Sequence, residues 1–169
     1  MTTNEAPDTA VQKARERLQA AIAHHPHRPD QTDEADRRLL SEATWRKVRE
    51  LGSPWEEPGE RLYVLGFNGP VPYVKAGRSK HMKKRLARHE TDAAIHGAFL
   101  YDGWASPPYL TVRDWETAAL RAMRRLPHPV TRVGEYFHNL DFEQAVGVAQ
   151  RAKPLFMDIL SIWDRDGLS

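Results

Sequence analysis

The sequence predicts an α+β domain with a sandwich-like build: a small antiparallel three-stranded sheet flanked by helices and preceded by a helical extension. Three observations carry that expectation. Two apolar runs, 62–67 and 71–76, are joined by Asn68-Gly69-Pro70, and Asn-Gly is the strongest short-range hairpin signal because both residues tolerate positive φ. A third extended stretch, 98–104, follows a basic segment of helical periodicity. Two later segments, 112–126 and 141–163, carry apolar residues at three-to-four-residue spacing, the mark of amphipathic helices.

Taken in order, residues 1–9 read as disordered, being polar and aperiodic with Pro7 among them. A helix follows over 10–24, with Val11, Leu18, Ala21 and Ile22 on one face, and the His/Pro cluster at 25–29 stops it. His24 and His25 would diverge on a helix, so a solvent or structural role is expected for them and for His27 rather than metal ligation, which needs convergent geometry. A second helix over 33–51 places Leu39, Leu40, Ala43 and Val48 on its buried side, with Thr32 or Asp33 as N-cap and Gly52 at its end. The linker Ser53-Pro54-Trp55-Glu56-Glu57-Pro58-Gly59 divides the chain into an extension, 1–58, and a main domain, 59–169. The extension's apolar faces are too small to form a core alone, which predicts a helical hairpin packed on the domain.

After the β-hairpin, Ser79 caps a helix whose apolar positions are Met82, Leu86 and Ala87, and residues 91–97 form a turn. Strand 98–104 ends at Pro107-Pro108. Helix 112–126 has the stripe Trp115, Ala119, Leu120 and Met123 and stops at Pro127. Residues 130–137 read as an edge strand, and the last helix, 141–163, is expected to kink at Pro154 and to pack Val146, Leu155, Phe156, Ile159 and Ile162 on the sheet.

Composition narrows the chemistry. The 169 residues include no cysteine, which excludes disulfides, thiolate metal sites and cysteine nucleophiles. The net charge of +2 hides an asymmetry: 30–60 holds nine acidic against five basic residues, whereas 75–89 holds seven Lys or Arg and no carboxylate. That points to a polyanionic partner for Arg78, Lys80, Lys83, Lys84 and Arg88, the alternative being a solvated helix face. No apolar run approaches the ~20 residues that span a bilayer, and the first residues lack a secretion-signal pattern. A cytoplasmic location is therefore the expectation.

The motifs within 61–140 resemble the GIY-YIG nuclease superfamily. Its first motif ends in a strand tyrosine, here Tyr63, and its second in a strand glycine, here Gly77 of Lys75-Ala76-Gly77. Eight residues after that glycine the family carries a helical arginine, and often a histidine four further on; Arg85 and His89 keep that spacing. Glu116, on a later helix, matches the catalytic glutamate. Lys75 stands where the family's second tyrosine usually stands, with Tyr73 two residues earlier, which is closer to a phage-related branch whose motif reads Tyr-Val-Lys-Ile-Gly and then Arg. Glu135-Tyr136-Phe137 resembles an aromatic motif late in those domains, and Asn139 is the candidate for an asparagine that many members carry.

The resemblance implies a DNA endonuclease using Mg²⁺ or Mn²⁺, with RNA not excluded, and since nothing in the sequence resembles a base-reading module such as a zinc finger, low sequence preference is expected. Glu116 would supply the hard oxygen ligand, and Arg85 a planar charged fork for phosphate. Tyr63 would orient or deprotonate the attacking water, with Lys75 lowering its pKa, and His89, one turn after Arg85, would assist proton transfer. The alternative is a DNA-binding protein of the same fold without turnover. A protein partner, or self-association, through the N-terminal helices is the remaining expectation.

Overall fold

The computed structural model describes residues 5–24, 32–50, 59–127, 130–131, 135–138 and 140–155. Helix α1 (Glu5–His24) begins earlier than its composition suggests, so 5–9 are helical rather than disordered. Pro7 sits in the first turn, where its missing N–H leaves no hydrogen bond unmade. Ala14 and Leu18 are buried but Ile22 is 40% exposed, so the buried stripe is shorter than expected. His25 and His27 lie outside the described residues.

Helix α2 (Glu34–Glu50) is capped by Asp33, whose carboxylate accepts from the Ala35 N–H at 3.3 Å and whose carbonyl accepts from that of Arg37. Asp36, Leu40, Thr44 and Val48, four residues apart, form its buried row. The two helices run antiparallel: Arg17 grips Asp36 near one end and Arg46 lies 3.9 Å from Asp8 at the other.

Strands β1 (Arg61–Asn68) and β2 (Tyr73–Ser79) form the expected hairpin, with Tyr63 opposite Gly77 and Phe67 opposite Tyr73. The turn differs. Asn68 belongs to β1, the connection is four residues long, and Gly69 does not adopt positive φ. What Gly69 permits is close approach, since a Cβ there would lie 2.8 Å from the Ala98 Cα.

Ser79 closes β2 and its Oγ accepts from the His81 N–H at 3.0 Å; the N-cap of helix α3 (Met82–Ile95) is His81, not Ser79. The helix runs through most of the stretch read as a turn, because residues 91–95 include two good helix formers, Ala93 and Ala94. It ends in a Schellman arrangement: Gly97, at φ 70°, donates to the Ala94 carbonyl and Ala98 to that of Ala93.

Strand β3 (Phe99–Ala105) pairs antiparallel with β1 on the side away from β2. Helix α4 (Val112–Arg124) buries Trp115, Ala119, Leu120 and Met123, the predicted stripe, together with Val112. The stretch read as one edge strand is two short strands, β4 (Val130–Thr131) and β5 (Tyr136–His138), and β5 pairs with β2. Among the described residues the sheet therefore has five strands, ordered β3-β1-β2-β5-β4, rather than three.

Helix α5 (Phe142–Arg151) is capped by the Asp141 carboxylate on the Gln144 N–H. It stops before Pro154 instead of kinking there, and Leu155 is 84% exposed rather than packed on the sheet. Phe156, Ile159 and Ile162 lie outside the described residues.

All eight residues of β1 are buried because both faces of the sheet are covered. On one face Leu62, Val64, Val74 and Ala76 meet α4 and α5, with the Trp115 indole donating to the Ala149 carbonyl at 2.7 Å. On the other Tyr63, Leu65 and Phe67 meet Met82, Leu86 and Ala93 of α3 and Val48 of α2. The N-terminal helices are fastened to β3 by Asp102, whose side chain is 4% exposed and pairs with Arg15 at 3.3 Å and Lys47 at 3.0 Å.

Candidate active site

Tyr63 enters the α3 face from the central strand, and Gly77 stands opposite it on β2. The absence of a side chain at Gly77 is what admits the phenol: a Cβ there would lie 2.6 Å from the Tyr63 oxygen and 2.9 Å from Cζ. The hydroxyl so placed meets Nε2 of His89 at 3.0 Å, both residues being buried. Helix α3 brings His89 there because Met82, Leu86, His89 and Ala93 recur on its sheet-facing side.

Both members of this pair are held neutral. Burial pushes the Tyr63 phenol well above its ordinary value, opposed only in part by Arg85, and the nearby charges of Glu135 and Glu116 push it further. Burial, then the charges of Lys75 and Arg85, push His89 down to about 4. Arg85 is half-buried beside them, and its guanidinium has no hydrogen-bond or ion-pair partner among the described residues.

Lys75 does not perform the expected task. Its ammonium is bound by Glu135 and lies 4.1 Å from the centroid of the Tyr136 ring. A cation committed to a carboxylate and a ring does little for a phenol nearby, and Tyr63 moves up rather than down.

Glu116 is on α4, which packs on the opposite face of the sheet from Tyr63. The Nε of Arg78 donates to its Oε2 at 2.8 Å, and the same guanidinium is bound by Glu60. Arg78 is thus a bridge between two carboxylates and not part of the free basic surface. Glu116 and Tyr63 influence one another through charge at the end of the hairpin, without contact. Burial raises the Glu116 carboxyl above its ordinary value, and the Arg78 hydrogen bond counteracts this. Its other oxygen, Oε1, has no partner among the described residues.

No group of three or more His, Asp or Glu side chains converges as a metal cage among the described residues. What Glu116 offers is one carboxylate oxygen, so a Mg²⁺ or Mn²⁺ held there would take its remaining ligands from water and substrate phosphate.

Lys80, Lys83, Lys84 and Arg88 are exposed at or along the first turns of α3. Only Arg88 has an acidic neighbour among the described residues, Asp92 at 3.9 Å. Such pairs on open surface contribute little, so this side of α3 remains strongly positive. Tyr73 is packed rather than reactive: its ring stacks on Phe67 with centroids 4.8 Å apart, and burial pushes its phenol to about 12.

Reasoning on sequence missed the roles of Glu60 and Glu135. Glu135 belongs to the Glu135-Tyr136-Phe137 motif, but no local signal links it to Lys75, 60 residues away. Glu60 lies beside the linker and gave no signal. Asn139 falls outside the described residues.

No protein-family model, curated protein or solved structure matches the chain. Among the described residues no helix is long and apolar enough to cross a membrane.

Proposed function

We propose that this protein is a divalent-metal-dependent endonuclease that hydrolyses DNA phosphodiester bonds with little sequence preference. The observation that carries the reading is the buried Tyr63–His89 pair against Gly77, with the unpartnered Arg85 guanidinium beside it.

Phosphodiester hydrolysis needs a water relieved of a proton, charge balanced on the phosphoryl oxygens, and a stabilised leaving oxygen. In this reading the Tyr63 hydroxyl donates to the neutral His89 Nε2 and keeps its lone pairs for the attacking water. A proton leaving that water can be taken up as the tyrosine proton passes to the imidazole, so the phenol never has to be a free phenolate. Arg85 presents a fork to the phosphoryl oxygens. Glu116 would hold the metal, which would supply Lewis-acid charge to phosphate and leaving group. Lys80, Lys83, Lys84 and Arg88 grip the DNA backbone at a cost in salt sensitivity.

Two observations favour a second reading, a DNA-binding protein without turnover: Arg78 already occupies one oxygen of Glu116, and Glu116 is across the sheet from Tyr63. Nicking of supercoiled plasmid by wild type and Glu116→Ala, each with EDTA, Mg²⁺ or Mn²⁺, separates the two. Metal-dependent nicking lost in the variant is the expected result. Salt-sensitive binding by both proteins with no nicking by either would instead select the binding reading.

A further inference from the structure

We propose that a second site, at the far end of α3, receives one unpaired base of the DNA that the basic helix holds. This rests on the DNA-binding part of the reading above, not on turnover. A cavity of about 720 Å³ opens between the end of α3, the β1–β2 connection and β5, within the ~300–1,000 Å³ usual for sites that enclose a small organic group. None of its walls belongs to the Tyr63–His89 pair or to Glu116.

The lining suits a nucleobase. Tyr73, Tyr136 and His138 form a ring cluster on it, Tyr136 and His138 lying 5.7 and 6.2 Å from Tyr73 and inclined to it. Phe67 backs Tyr73 from the core side, so that ring is held firm. Val71 and Ile95, 61% and 74% exposed, are large apolar side chains standing at the mouth. Aromatic platforms bind bases of any identity because every base has a π-face. Asp92 adds an acceptor for the exocyclic amino groups that pairing would otherwise hide.

Charge identifies the occupant as part of a polyanion rather than an apolar peptide. Lys83, Lys84 and Arg88 are exposed on the same helix that ends in this wall. A strand whose phosphates follow α3 passes Arg85 and then the cavity mouth. A paired base cannot enter without leaving its stack, so the site selects DNA with an unpaired nucleotide over perfect duplex.

The test uses full-length Glu116→Ala, so that bound DNA stays intact, with two short DNAs: a perfect duplex containing 2-aminopurine, and the same duplex with that base left unpaired as a bulge. We expect the bulged DNA to bind about tenfold more tightly, with its fluorescence quenched on binding. Tyr136→Leu should remove the preference and the quenching, and a Lys83→Ala/Lys84→Ala double variant should weaken both DNAs alike. Because Tyr136→Leu could disturb β5, its melting temperature is compared with that of the parent; the quenching of the unsubstituted ring site decides the matter independently. Equal affinity for the two DNAs with unchanged fluorescence overturns the proposal, including the case in which the cavity serves a peptide. Nicking by the wild type is scored separately: nicking without a bulge preference sinks this site alone, and a bulge preference without nicking sinks only the nuclease reading.

Discussion

The hydroxyl of Tyr63 and Nε2 of His89 lie 3.0 Å apart in a setting that keeps both neutral. A histidine held neutral by the fold makes stability depend on pH. The unfolded chain takes up a proton near pH 6.5, whereas the folded one resists until about 4. Between those values the unfolded state binds more protons, so stability is complete above about 6.5 and is lost as pH falls towards 4. The loss should be on the order of 2–3 kcal/mol. Urea melts at pH 7 and pH 4.5 on wild type and His89→Gln check this; the variant should show a shallower pH dependence over that window.

Gly77→Ala should be damaging out of proportion to one methyl group. The new Cβ would overlap the Tyr63 oxygen and ring, and forced overpacking costs about 1–3 kcal/mol. The melting temperature should fall, and activity should fall by more than the remaining folded fraction explains, because the phenol is driven off His89. Ultraviolet resonance Raman of the tyrosine, compared with Tyr63→Phe, reads the lost hydrogen bond directly.

Removing the Arg78 side chain, as Arg78→Met, should free Glu116 of the interaction that lowers its pKa while its burial stays. The carboxylate then titrates at higher pH than in wild type. The acid limb of a pH–nicking profile should move up, with weaker metal binding below it. An unmoved limb would mean that Glu116 does not set it.

Charge on α3 should act on affinity through salt. Lys83→Ala and Lys84→Ala together should reduce the slope of log affinity against log salt by about 2, since each phosphate contact releases close to one counterion. The loss should be the same for unrelated duplex sequences. Anisotropy titrations at four salt concentrations suffice.

Much of this architecture was legible in the sequence because it is written locally. The Trp115, Ala119, Leu120, Met123 row declares its buried face by helical periodicity, and Leu62–Phe67 shows itself as a continuous apolar run. The resemblance singled out Tyr63, Gly77, Arg85 and His89, and the strand register and the period of α3 are what bring Tyr63 against Gly77 and His89. The Lys75–Glu135 and Arg78–Glu60–Glu116 pairings were not, because they join residues distant in the chain whose charges alone do not say which partner wins. The β4–β5 pair escaped for another reason: two- and three-residue strands are too short to show alternation.

The fastening of α1 and α2 to Asp102 bears on how the chain can be cut. The proline-rich linker invites expression of 59–169 alone. That fragment would leave a nearly buried carboxylate without Arg15 and Lys47, and would uncover Leu65 where Val48 now covers it. Unpaired buried charge and bare apolar sheet are a recipe for insolubility. With Arg15 and Lys47 both paired to Asp102, the shortest piece worth expressing starts ahead of Arg15.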